Sequence, residues 1–96
     1  MKTTYKYVYF LTNKNNTVIY VGVTSNLKKR IYEHREKQIS GFSERYNLSR
    51  LVYYEAFNTI TDAITREKQI KSGSRKKKLE LISKFNPTFK DLYEEI

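Results

Sequence analysis

The pattern of apolar and polar positions divides the chain into six elements. Residues 7–11 are β-branched and aromatic and predict a strand. Residues 12–17 are turn chemistry, because asparagine tolerates a left-handed backbone, and residues 18–23 predict a second strand that closes a hairpin. Thr24, Ser25 and Asn26 offer capping oxygens to a helix over about 27–38, with Leu27 and Ile31 as core anchors and Arg30 and His34 one turn apart beside them. Residues 40–47 read as a polar loop and 51–57 as a third strand. A second helix runs from Ile60 or Thr61 to about Ser72, with Thr59 as its cap, a stripe of Ala63, Ile64 and Ile70, and Gly73 suited to a left-handed stop. Ser74 caps a third helix with Leu79, Ile82 and Phe85 inward, and Asn86-Pro87 ends it. Short connections in this order predict an α+β fold, a small three-stranded, mainly antiparallel sheet flanked by about three helices.

Ninety-six residues fit one domain, expected over 1–96, with a core at about 5–86 and a tail, 87–96, docked on it through Phe89, Leu92 and Tyr93. Cysteine is absent, which excludes disulfides and thiolate metal sites. No apolar run approaches the ~20 residues of a membrane span, and the amino terminus lacks a signal-peptide core, so a soluble, cytoplasmic protein is expected.

The net charge of +9 changes the picture, because it is uneven. Lys84 and Lys90 against Asp91, Glu94 and Glu95 leave the last thirteen residues at −1, so the first 83 carry +10. One basic cluster holds Lys28, Lys29, Arg30, Arg35 and Lys37; the other holds Lys71, Arg75, Lys76, Lys77 and Lys78. Such clusters attract phosphate backbones by screened attraction and counterion release. The competing readings are solubility or an acidic protein partner. Glu67 is singular for another reason. It lies on the apolar stripe of the second helix, where a carboxylate has to be hydrogen-bonded, paired, metal-bound or at a cleft edge.

Tyr7-Val8-Tyr9, a short gap and Tyr20-Val21-Gly22 resemble the paired signature of the GIY-YIG endonuclease family. The resemblance continues through Asn26 to Arg30, His34, the segment 63–71, Arg75 to Lys78, Leu81-Ile82 and Asn86-Pro87, and is closest to small single-domain members. It implies a metal-dependent endonuclease that hydrolyses phosphodiester bonds in DNA. Glu67 would bind one divalent cation, Mg²⁺ or Mn²⁺, and Arg30 would hold the scissile phosphate. Tyr9 and Tyr20 would line the water site, one of them as base, and His34 would take a proton or, as a cation, ease phenol ionisation. Lys28, Lys29, Arg35, Lys71, Arg75, Lys76 and Lys77 would meet nucleic acid, with Asn86 as a supporting residue. Two departures stand out. Tyr7 replaces the glycine of the family name, and Val23 stands where some relatives have a lysine, whose activating role then falls to His34. With no room for a separate recognition domain, weak sequence specificity or preference for a structured substrate is expected, with a partner or multimerisation adding specificity. The alternatives are a nucleic-acid-binding module of the same fold without turnover, and a protein-interaction domain.

Overall fold

The computed structural model describes residues 4–38, 41 and 45–96. Its strands are β1 (Lys6–Thr12), β2 (Ile19–Thr24) and β3 (Arg50–Phe57); its helices are α1 (Leu27–Arg35), α2 (Ile60–Ser72) and α3 (Arg75–Phe85). A short 3₁₀ turn, Tyr93–Glu95, follows. Half of the segment read as a polar loop, Ser40 and residues 42–44, lies outside the described residues.

The sheet is antiparallel with order β2-β1-β3, so β1 is central. The β1–β2 turn forms because Asn13 folds its side chain onto the following backbone, with Oδ1 accepting from Thr17 N at 2.8 Å, while Asn16 takes the left-handed conformation at φ 56°. Positions 8–11 of β1 are all buried, since both faces of the sheet are covered. Val8 and Phe10 join Val21, Val52 and Tyr53 beneath Ala63 and Ile70 of α2 and Ile82 of α3. Tyr9 and Leu11 face the other way, onto Leu27 and Ile31 of α1, with Leu48, Leu51 and Leu92. The tail is tied in by the Leu92 amide, which donates to the Leu51 carbonyl at 2.8 Å. Among the described residues, no helix is long and apolar enough to cross a membrane.

The expected caps form. Asn26, Thr59 and Ser74 each accept from the backbone amide three residues on. Three local expectations are corrected. First, α1 ends at Arg35, short of 38, because Lys37 turns left-handed (φ 56°) and the amides of Lys37 and Gln38 return to the carbonyls of His34 and Glu33, a Schellman closure without glycine. Second, Gly73 is extended (φ −85°, ψ 171°) and not left-handed, since the chain passes straight into the Ser74 cap of α3. Third, Ile64 and Phe85 do not turn inward: they are 39% and 48% exposed, and Phe85 instead rests edge-on against the rings of Tyr53 and Tyr54.

Candidate active site

The site is built on the central strand. Tyr9 is 2% exposed, and its register partner on β2 is Gly22. A Cβ on Gly22 would come within 2.5 Å of the Tyr9 Cζ and hydroxyl oxygen, so the phenol lies over a position that only glycine leaves open. Beyond it stands His34, carried inward because 27, 31 and 34 fall on one face of α1. The Tyr9 hydroxyl and His34 Nε2 are 3.0 Å apart in a buried hydrogen bond. Tyr20, half-buried on β2, completes a triangle of rings, its centroid 6.2 Å from Tyr9 and 5.7 Å from His34.

Burial is the largest influence on the protonation of Tyr9 and His34. Burial first and the nearby Arg30 guanidinium second lower the His34 imidazole from 6.5 to about 4, with Glu33 opposing. His34 is therefore neutral at pH 7, and not the cationic imidazole considered from the sequence. With its proton on Nδ1, Nε2 is left to accept from Tyr9. Burial also pushes the Tyr9 phenol well above its ordinary value, and Tyr20 adds to this; Arg30 pulls it down and the Glu67 carboxylate pushes it up. The charges of Arg30 and Glu67 are thus both felt at the Tyr9 oxygen, although one residue comes from α1 and the other from α2.

Arg30 lies in a small cleft with Thr24, Ser25 and Asn26, 3.9 Å from Glu33 through Nε. Glu67 is 19% exposed on its side chain and meets Lys71 at 3.4 Å. Lys71 in turn lines a cleft with Tyr20, at the edge where α2 reaches β2. Tyr9, Tyr20 and His34 therefore form one cluster, and the charges of Arg30 and Glu67 reach its Tyr9 hydroxyl. Among the described residues, no three His, Cys, Asp or Glu side chains form a metal cage. A lone carboxylate such as Glu67 is still a hard oxygen donor. It suits an ion that keeps most of its waters and takes a further ligand from phosphate.

The other candidates are spread more widely. Lys28 and Arg35 both lie over the Tyr93 ring, at 4.0 and 4.5 Å, and Arg35 pairs with Asp91 at 2.8 Å. Arg75 donates to the Asn16 carbonyl. Lys29, Lys76 and Lys77 are exposed, and Lys77 borders a basic cleft of about 440 Å³ between α2 and α3. Asn86 is buried, with its amide donating to the carbonyls of Val52 and Lys90 and accepting from Lys90 N, so its side chain clamps the tail to β3. Two residues were given no role from the sequence. Glu33 pairs with Arg30, a spacing visible as i,i+3; Gly22 makes room for Tyr9, and its signal was a glycine inside a strand.

Comparison with known proteins shows the family and the fold. The model of the GIY-YIG catalytic domain matches residues 5–80. A UPF0213 protein of Staphylococcus saprophyticus is 38% identical over 77 residues, covering 80% of this chain and 93% of its own length. One from Syntrophus aciditrophicus is 39% identical over 85 residues, covering 84% and 92%. The solution NMR structure of a UPF0213 protein from Bacillus halodurans superposes with a TM-score of 0.52 at 32% identity, covering 82% of this chain and 83% of that one. The chain belongs to the GIY-YIG family of nuclease-fold domains, among its small UPF0213 members.

Proposed function

We propose that this chain is a metal-dependent endonuclease that hydrolyses phosphodiester bonds in DNA, with weak sequence specificity or a preference for particular substrate structures. The observation that carries the reading is the buried Tyr9–His34 hydrogen bond, 3.0 Å long, at an oxygen that feels the charges of both Arg30 and Glu67. A hydroxyl paired with a neutral imidazole is a proton-transfer pair, and an adjoining guanidinium and carboxylate supply what a phosphodiester centre needs beside it.

In this reading Arg30 binds the scissile phosphate through its planar fork. Tyr20 borders the attacking water on the open side. Tyr9 takes the water proton as its own phenolic proton passes to His34 Nε2. The new P–O bond forms as the bond to the leaving oxygen breaks, and that oxygen collects a proton from solvent. Glu67 would hold one Mg²⁺ or Mn²⁺, which when bound supplies positive charge to the phosphate and the leaving oxygen. His34 hands its proton back to solvent to restore the pair.

A second reading has one observation in its favour. Burial makes Tyr9 hard to ionise and His34 a weak base, which suits a nucleic-acid-binding module without turnover. Nicking of supercoiled plasmid separates the two. The intact chain is expected to nick with Mg²⁺ or Mn²⁺. Glu67→Ala should lose on the order of 10²-fold or more of that rate. It should lose only about 0.5 kcal/mol of stability, since its partner is an i,i+4 lysine. Salt-sensitive DNA binding without nicking in either metal would leave the binding module.

A further inference from the structure

A second cavity adjoins this site. About 460 Å³ in volume, it is bordered by Tyr5, Tyr7, Tyr54 and Lys28 and by the turn Ser25-Asn26. Its aromatic wall is continuous. The Tyr5 and Tyr7 rings are 6.5 Å apart and those of Tyr7 and Tyr54 6.1 Å, both edge-to-face. Tyr5 nonetheless remains 42% exposed. The Ser25-Asn26 turn borders this cavity on one side and the Arg30 cleft on the other. Strand geometry adds a second link. Tyr7 lies two residues before Tyr9, so both point to one face of the sheet about 7 Å apart along the strand, and Tyr54 is the register partner of Tyr9 on β3.

We propose that the Tyr5–Tyr7–Tyr54 cavity receives an unpaired base of the nucleic acid whose backbone crosses Ser25-Asn26 to Arg30, so that the chain favours substrates with a single-stranded nucleotide next to the cut. The inference rests on the nuclease reading and adds a substrate preference to it. The volume is within the range of small-ligand sites and accommodates one nucleotide. Tyrosine rings stack on any base, whereas paired bases inside a duplex have no free face to offer. Lys28 and Lys29 beside the turn bring positive charge to the connecting backbone. A protein side chain would also fit an aromatic cavity; the continuity with the Arg30 cleft and the basic rim favour the nucleotide. Tyr7 is the residue that stands where the family signature has glycine, so this wall is not part of the signature.

The test uses the full chain in EDTA, with fluorescence anisotropy of a labelled 20-nucleotide oligo-dT and of a 20-base-pair duplex at one salt concentration. Tyr5→Ala should weaken the single strand about tenfold and the duplex less than twofold, and Tyr5→Phe should retain both. A single-stranded oligonucleotide carrying 2-aminopurine should lose emission on binding the wild-type chain, a readout that requires no variant. Equal losses on both substrates, or no loss and no quenching, would overturn the inference, the latter pointing to a protein ligand. The outcome is separable from the nuclease reading. Cleavage that depends on Glu67 but not on Tyr5 overturns only the cavity assignment. Tyr5-dependent binding with no cleavage in Mg²⁺ or Mn²⁺ overturns only the enzyme.

Discussion

Gly22 faces Tyr9 across the β1–β2 pair so closely that a methyl group on Gly22 would overlap the phenol. The glycine is thus a space requirement of the tyrosine. Gly22→Ala forces either the strand or the ring to move, and the ring is held at its far end by His34. The variant is expected to lose about 1–3 kcal/mol in urea denaturation and, in the folded protein, nearly all nicking. Normal nicking by Gly22→Ala would show that the Tyr9–His34 contact is dispensable.

The buried imidazole should make stability pH-dependent. His34 is lowered from 6.5 to about 4 on folding, so between those values the unfolded chain binds a proton that the folded chain refuses. Stability is complete above about 6.5 and falls as pH drops toward 4, by at most about 3 kcal/mol from this residue. Denaturation of wild type and His34→Gln from pH 7 to 4.5 should show a steeper loss in wild type; parallel curves would refute it. In Arg30→Gln the imidazole, followed by NMR, should titrate at higher pH yet stay below 6.5, because burial is the larger cause.

Asn86 makes three hydrogen bonds to backbone groups of β3 and the tail. Asn86→Ala should cost about 1–3 kcal/mol, the penalty for leaving buried carbonyls unmet. Nicking per folded molecule should remain within about twofold if its role is this clamp. A selective loss of nicking at unchanged stability would restore it to the site.

The basic residues should not contribute equally to DNA affinity. Among the described residues, the Lys76 and Lys77 ammonium groups have no hydrogen-bond or ion-pair partner, whereas Arg35 is paired with Asp91 and stacked on Tyr93. Replacing Lys76 and Lys77 together by glutamine should reduce the slope of log affinity against log salt by about two. Arg35→Gln should change it by less than half a unit. The reverse ranking would place the contact surface on α1 and the tail.

Much of this was legible in the sequence because it is local. Strand composition, the capping oxygens of Asn26, Thr59 and Ser74, and the one-turn spacing of Arg30 and His34 are set by neighbours within a few residues. What was not legible depends on distant partners. Lys28 and Arg35 resemble any solvated basic pair until Tyr93 arrives from 65 and 58 positions away. Phe85 has the spacing of a core residue, but its helix ends at the rim of the sheet, where the rings of Tyr53 and Tyr54 meet it edge-on and leave it half exposed. Gly73 has the usual residue for a left-handed stop, yet the next helix begins at once and asks for an extended link. The neutrality of His34 follows from burial, which spacing alone does not reveal.

Because Tyr9 belongs to the middle strand, paired on one side with β2 and on the other with β3, no fraying of either edge releases it. Amide exchange around Tyr9 should therefore proceed only through cooperative unfolding of the whole domain, whereas the outer strands can open by cheaper, partial routes. The hydroxyl proposed to carry the chemistry is thus anchored where exchange should be slowest, and the parts left free to adapt to a substrate are the helix ends and the edges around it.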